Sequence, residues 1–386
     1  MNIVFLSPHF PPNFYPFCVH LRRLGANVLG IADQPYEHLR PELRQALTEY
    51  YRVDDLHNYD QLVRAFGYFT HHYGKLNRLD SHNEYWLETE ARLRDDFNIP
   101  GLRTSQMDRI KRKSQMKRVY QQAGVPVARG GIVHTMQDAQ SLIEQTGYPL
   151  VAKPDVGVGA ARTYKIHNQA ELRAFFAEKP DVDYFLEEFI QGQIVSFDGL
   201  ADYDGNLVFY TAHTYSHGVM ETVNRGGDLY YYSHRQIPTD LERTGRKVAR
   251  AFDVRGRFFH FEFFRTQDGG LVALEVNMRP PGGLTTDMFN FANDIDVYAA
   301  WATLMVTGSV ELPDERPYHV LYAGRKSFRQ YAHTHDEVLA KCGDLLVHHQ
   351  PIDGVFAPAI GDYGFVLRSP ELPNLVELAG YIQQVA

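Results

Sequence analysis

Cysteine is almost absent: only Cys18 and Cys342 occur in 386 residues. That leaves no material for a disulfide framework or a cysteine-built metal site. No apolar run is long enough to cross a bilayer as a helix, so no membrane association is expected. An excess of basic residues is also missing. The formal net charge is −8, so the chain as a whole repels nucleic acid. The first residues carry no basic region and no small-residue cleavage site, and they open directly on the apolar run Ile3-Val4-Phe5-Leu6. A cytoplasmic setting without a signal peptide is the expectation. Two nucleotide-binding signatures are lacking too. Where a G-x-G-x-x-G loop would follow the first apolar run, the chain reads Ser7-Pro8-His9-Phe10-Pro11-Pro12. No Gly-Lys-Ser/Thr opens a helix as in a Walker A loop.

What is present is ordinary for a large folded protein. Hydrophobic residues make up 44% and aromatics 13%, and 386 residues exceed what one core usually serves, so two or three domains are expected. Residues 1–104 alternate strand-like and helix-like segments: 3–6 a strand, 17–24 a helix stopped by Gly25, 26–32 a second strand. This pattern predicts an α/β unit with a parallel sheet. Residues 104–124 read as one basic helical stretch ending at Gly124. From 147 to 192 a smaller unit follows, with strands over 150–153, 163–166 and 184–189 and a helix over 169–176. Residues 194–278 read as β-rich. The tail beyond 310 mixes short strands with a terminal helix over 375–385.

The most informative segment runs from 257 to 283, RFFHFEFFRTQDGGLVALEVNMRPPGG. Two strand-like runs flank Asp268-Gly269, read as a two-residue type I′ turn. Counting outward places Glu262 opposite Glu275 and His260 opposite Asn277. Strand alternation puts His260 and Glu262 on one face and Phe259, Phe261 and Phe263 on the other. Glu275, Asn277 and Arg279 share a face, with Leu274, Val276 and Met278 behind. Two opposed carboxylates about 5 Å apart destabilise a hairpin unless a cation lies between them. Oxygen ligation by Glu262, Glu275 and Asn277 suits Mg²⁺ or Mn²⁺. The alternative is a solvated polar face neutralised by Arg257 and Arg265. The same-face Asn277 and Arg279, followed by Pro280-Pro281-Gly282-Gly283, favour the metal.

A second segment, YPLVAKPDVGVGAARTYKI (148–166), ends an apolar strand on Lys153 and continues into a loop with Gly157 and Gly159. Glycines let backbone N–H groups approach an anion, and a lysine supplies a mobile charge. A plain hairpin loop is the competing reading, although a lysine closing an apolar strand ordinarily needs an anion. Lys113, in the run 109–129, by itself reads as part of a solvated basic helix face, the commoner fate of such runs.

Taken in order, these segments resemble the ATP-grasp superfamily, in its carboxylate–amine ligase and biotin-carboxylase-like group, over residues 84–310. Lys113 before Met116-Lys117 and Gly124-Val125-Pro126 matches the family's first phosphate-binding lysine. Lys153-Pro154 with Gly157 and Gly159 matches its second lysine and flap. Glu187-Glu188-Phe189-Ile190-Gln191-Gly192 matches its adenine- and ribose-binding hinge, and Glu262, Glu275, Asn277 and Arg279 match its metal ligands and following arginine. Ala160-Ala161 departs from the small hydroxyl residue common in the flap, and the glycine-rich turn after the first strand is missing.

The resemblance implies an α/β fold, α+β in parts, of ATP-grasp type. It implies an N-terminal α/β domain (1–104), an ATP-grasp domain (105–309, lid about 125–190) and a small C-terminal mixed region (310–386). It further implies ATP and Mg²⁺ or Mn²⁺ as cofactors, with catalytic roles for Arg279 and Lys153. The nucleotide would be held by Lys113, Lys153, Gly157, Gly159, Glu187, Glu188, Phe189 and Ile190. The implied reaction phosphorylates a small-molecule carboxylate to an acyl phosphate, which an amine then attacks. The rival expectations are bicarbonate activation, a small-molecule kinase, and a nucleotide-binding regulatory subunit without turnover. His213 to Ser216, Asn224-Arg225-Gly226-Gly227, Tyr230-Tyr231-Tyr232 and Arg235 read either as an acceptor pocket or as a hairpin with surface tyrosines. Lys326 and Arg329 read either as closing over the nucleotide or, the favoured reading, as a solvated surface. A homodimer is the expected assembly, as the commonest for soluble proteins.

Overall fold

The computed structural model describes residues 1–157, 162–218 and 226–386. Gly159, Ala160-Ala161 and Asn224-Arg225 lie outside them. The N-terminal strands β1 (Asn2–Leu6), β2 (Asn27–Ala32), β3 (Glu49–Arg52) and β4 (Arg78–Asp80) form a parallel sheet in the order β3-β2-β1-β4. Alternate residues of β1 enter different cores: Ile3 and Phe5 pack on one side, Val4 and Leu6 on the other. A parallel sheet covered on both faces needs such unbroken apolar strands.

Strands β5 (Gly130–Val133), β6 (Leu150–Pro154), β7 (Tyr164–Ile166) and β8 (Tyr184–Glu188) form a small antiparallel sheet, β5-β8-β6-β7. It has its own core, built on Leu150, Ala152, Leu172 and Leu186.

The third sheet has eight antiparallel strands: β9 (Gly192–Ala201), β10 (Leu207–Tyr215), β11 (Tyr230–Ser233), β12 (Arg257–Thr266), β13 (Leu271–Asn277), β14 (His319–Arg325), β15 (Leu346–Pro351) and β16 (Tyr363–Ser369). Their order is β13-β12-β9-β10-β11-β14-β16-β15, so strands from beyond residue 310 continue the sheet that carries the carboxylate hairpin. One face of β9, β12 and β13 packs on the helices Lys113–Gln122 and Thr239–Ala251 through Phe197, Phe259, Phe261 and Val276.

Three expectations need correcting. Residues 104–124 are not one helix. Arg112 is extended (φ −94°, ψ 118°) between the helices Met107–Lys111 and Lys113–Gln122, and it bridges to Val156. The break comes from across the fold: the Asp155 carbonyl accepts from Lys113 N (2.9 Å), and Asp155 Oδ1 accepts from Ser114 N (2.8 Å). The β-rich reading of 194–278 missed the helix Thr239–Ala251, whose Gly245 sits against Phe197. The tyrosines of β11 are not surface residues. Tyr231 is 2% exposed and stacks between Tyr215 and Tyr322, while Tyr230 and Tyr232 pack on the opposite, C-terminal core.

Candidate active site

The hairpin β12–β13 pairs Glu262 with Glu275 and His260 with Asn277, as the pattern predicts, but by another route. The turn is not a two-residue type I′ turn. Gly269 N donates to Thr266 O (2.9 Å) and Thr266 N to Gly270 O (3.0 Å), closing a three-residue loop. Gly269 takes φ +85°, whereas Asp268 stays out of the left-handed region that type I′ demands. The longer loop shifts the register by one: Arg265 pairs with Leu271 and Phe263 with Ala273. A bulge between Glu262 and Phe263 accommodates Leu274 as the extra residue and restores the Glu262–Glu275 pair. Leu274 therefore does not sit behind with Val276 and Met278. It packs on the other face, beside Ile194 and Tyr215.

The remaining predicted residues converge on this hairpin. Lys113 opens its helix with Nζ 3.8 Å from Glu275 Oε1 and 3.3 Å from the Gly157 carbonyl, to which it donates. Burial raises the Glu275 pKa, Lys113 opposes that shift, and Glu262 adds to it. A buried carboxylate facing a second one favours a nearby cation. Behind Glu262, His260 Nδ1 bonds to the fully buried Asp198, and its Nε2 lies 3.6 Å from Glu262 Oε1. Burial opposes the imidazolium, but Asp198 and Glu262 outweigh it and raise the His260 pKa to about 9. Asp198 also takes His213 Nδ1 at 2.8 Å and the Ser196 hydroxyl at 2.6 Å.

Lys153, at the end of β6, pairs with Glu187 of β8 (Nζ–Oε1 2.6 Å). The other oxygen of Glu187 meets Lys117 at 2.7 Å. Burial would raise the Glu187 pKa, yet the two lysines bring it down to about 2. Lys117 was legible only as part of the motif around Lys113. Its spacing of four from Lys113 puts both on one helix face, which is the signal that could have found it.

Glu188 points elsewhere and is clamped by Arg129, with N, Nε and Nη2 donating at 2.8, 2.9 and 2.5 Å. Glu188 N donates to Arg129 O and Phe189 N to Pro149 O. Among the described residues, the Ile190 N–H has no hydrogen-bond partner. Lys165 caps the Phe189 ring, with Nζ 3.5 Å from its centroid. The hinge therefore offers backbone at Ile190, while both carboxylates are engaged, Glu187 by Lys153 and Lys117 and Glu188 by Arg129.

Arg279 follows the hairpin. Its Nη1 donates to Pro280 O at 2.7 Å, and its Nε lies 4.0 Å from Glu84, a buried acid of the N-terminal unit also held by Lys111 at 3.2 Å. Nothing in the local pattern around Glu84 pointed to this. Gly282 and Gly283 lie under Phe356 and Ile360 of the C-terminal region, and Phe356 stacks on Phe10 of the loop after β1. Arg235 is remote from this convergence, donating to the carbonyls of Arg316 and Pro370. Lys326 is buried rather than solvated and donates to Pro358 O (2.9 Å), and Arg329 pairs with Asp228 at 3.0 Å.

Among the described residues no three or more His, Cys, Asp or Glu side chains gather into a metal cluster. The candidate cation site consists of two opposed carboxylates and an amide, which leaves coordination positions for oxygens from outside the protein. That donor set and the raised Glu275 pKa fit Mg²⁺. Among the described residues no helix is long and apolar enough to cross a membrane.

Known proteins are similar to this chain in sequence and in fold. Residues 146–287 match the sequence model of the ATP-grasp domain. The L-arginine-specific L-amino acid ligase of Bacillus subtilis is 24% identical over 60% of this chain and 58% of its own length. A carbamoyl phosphate synthase large chain of Caldanaerobacter subterraneus subsp. tengcongensis is 23% identical over 50% of this chain and 18% of its own. The chain thus spans between a fifth and three fifths of these curated relatives. In structure, an L-amino acid ligase from Bacillus licheniformis superposes with a TM-score of 0.76 at 15% identity, covering 98% of this chain and 95% of the other. N5-carboxyaminoimidazole synthetase from Staphylococcus aureus, complexed with ADP, gives 0.75 at 15% identity, covering 99% and 96%. Residues 146–287 thus form an ATP-grasp domain, and the chain as a whole has the ATP-grasp fold.

Proposed function

We propose that the protein is an ATP-dependent carboxylate–amine ligase, which activates a small-molecule carboxylate as an acyl phosphate for attack by an amine, with release of ADP and phosphate. The observation that carries this reading is the approach of Lys113 to the opposed Glu262–Glu275 pair, with Arg279 two residues beyond Asn277 on the same strand end. The similarity to ligases that span most of this chain in structure supports it.

Glu262, Glu275 and Asn277 would hold Mg²⁺, with Mn²⁺ as the alternative, and the ion would neutralise phosphate charge. The chain's own residues do the positioning that phosphoryl transfer chiefly requires. Ile190 would offer its N–H to the adenine edge, and the backbone at Gly157 would face the phosphates. Lys113 and Lys153 place two ammonium groups where negative charge develops. Glu187 fixes the direction of Lys153 through their ion pair. Arg279 presents a planar fork to the carboxylate or the acyl phosphate. His260, backed by Asp198, holds the Glu262 carboxylate toward Glu275. The accompanying proposals are the domain division at 104 and 309, a homodimer, and a cytoplasmic setting in keeping with two free buried thiols.

The test is an ADP-release screen over pairs of carboxylates and amines, with mass spectrometry of the products. An amide product requiring both partners is expected. A stable phosphorylated product formed without amine, or ADP released with bicarbonate alone, would replace this reading. In the same assay Glu275→Gln and Arg279→Ala should each lower turnover by about 10²-fold or more, the scale of losing one oxyanion donor. Unchanged turnover in either would remove that residue from the mechanism.

A further inference from the structure

A second polar cavity, of about 250 Å³, lies between the N-terminal sheet and the start of β12. Arg78, Arg94, Arg255 and Arg257 line it, together with two carboxylates, Asp80 and Asp253. Glu90 stands behind Arg94 at 2.6 Å, and Asp80, Glu90 and Glu84 act on Arg257, so the unused N–H donors rather than a net charge mark the cavity. None of these residues belongs to the nucleotide site described above.

The guanidiniums have unused donors. Arg94 is 2% exposed. Its Nη2 donates to Glu90 and to Leu79 O, but its Nε and Nη1 have no partner among the described residues. Arg257 is 6% exposed. Its Nε donates to Met278 O at 3.0 Å, and its terminal nitrogens make no hydrogen bond or ion pair within the described chain. Arg78 is braced by Nε to Tyr203 Oη (2.5 Å) and Nη1 to Asn77 O. Asp80 acts on Arg257 and Arg94 through its charge but makes no hydrogen bond or ion pair to them among the described residues; its Oδ1 accepts from Ser81 N and His82 N at 2.9 Å each. The site is also shaped for Arg94: a Cβ at Gly101 would lie 2.8 Å from Arg94 Nε. Buried guanidiniums with free N–H groups facing a small cavity call for a compact oxyanion, since an unsatisfied buried charge is costly.

We infer that this cavity is a second anion site, which takes a phosphate group, free or as a monoester, between the N-terminal unit and β12. Its walls come from β4, the helix Leu87–Asp96 and the head of the strand that carries Glu262. A bound phosphate would thus tie the N-terminal unit to the strand of the carboxylate hairpin.

The test is calorimetric titration of the full chain, in the absence of nucleotide, with inorganic phosphate and separately with glycerol 3-phosphate. The Lys153→Ala variant removes phosphate binding at the nucleotide site as a confounder. Saturable binding of either probe that persists in Lys153→Ala is expected, and the tighter of the two identifies free or esterified phosphate. Arg257→Gln should weaken it at least tenfold. Arg255→Gln, at an exposed position, and Arg78→Gln should weaken it severalfold and serve if the buried substitution prevents folding. Loss of binding in Lys153→Ala, or wild-type affinity in the folded Arg255→Gln and Arg78→Gln variants, would overturn the site.

Discussion

Glu187 shows how a single buried acid organises this site. It stands between two lysines from different segments, and each oxygen takes one of them. Its pKa falls from an ordinary 4.5 to about 2. Because the folded value lies below the unfolded one, the stabilisation is complete above pH 4.5 and is lost as pH falls through 2. The difference corresponds to about 3 kcal/mol. Glu187→Gln should therefore lower stability at pH 7 by about 3 kcal/mol and flatten the pH dependence between 4.5 and 2, as read by urea denaturation across that range. A variant as stable as the parent at pH 7 would mean that the triad contributes nothing net, as buried ion pairs sometimes do.

Among the elements, two contacts set the position of the chemistry. The first is the tie between Asp155 and the start of the helix Lys113–Gln122, which aims Lys113 at Glu275. Asp155→Ala removes the acceptor for the Ser114 N–H and hydroxyl. A loss of about 1 kcal/mol is expected, as for other helix caps, with a raised KM for ATP as Lys113 loses its bearing. The second is the packing of the helix Thr239–Ala251 on β9. A Cβ at Gly245 would lie 2.2 Å from the Phe197 ring. Gly245→Val should cost about 1–3 kcal/mol by overpacking, seen as a lower denaturation midpoint. The helix itself was missed from sequence because its neighbours on both sides are strands. The hairpin was read correctly in its pairing but not in its turn, since loop length and bulge offset each other and neither leaves a periodic trace.

On the scale of the whole molecule, the eight-stranded sheet matters most. β11 is paired on one side by β10 and on the other by β14, so the C-terminal strands complete a sheet rather than form an appendage. Tyr231 and Tyr322 stack across that junction, and Phe356 and Ile360 lie over Gly282 and Gly283. A chain truncated after residue 309 would expose the β11 edge and the apolar faces above it. It should aggregate or lose cooperative unfolding, as judged by size-exclusion chromatography and thermal melts. A monodisperse, cooperatively folded truncation would show that the sheet is complete without β14–β16.

Local pattern alone decided which side chains face each other across the hairpin, because alternation in a strand has a period of two and needs no distant partner. It likewise marked Lys153 at the end of an apolar strand, whereas Lys113 and the Glu187–Gly192 hinge stood out only through the resemblance to the ATP-grasp family. The tertiary structure decided what those residues meet. The break at Arg112, the Lys117–Glu187–Lys153 triad, the Asp198–His260 support and the approach of Glu84 to Arg279 all join segments tens to hundreds of residues apart. Such contacts follow from how layers pack, and packing leaves no mark in any short window of sequence.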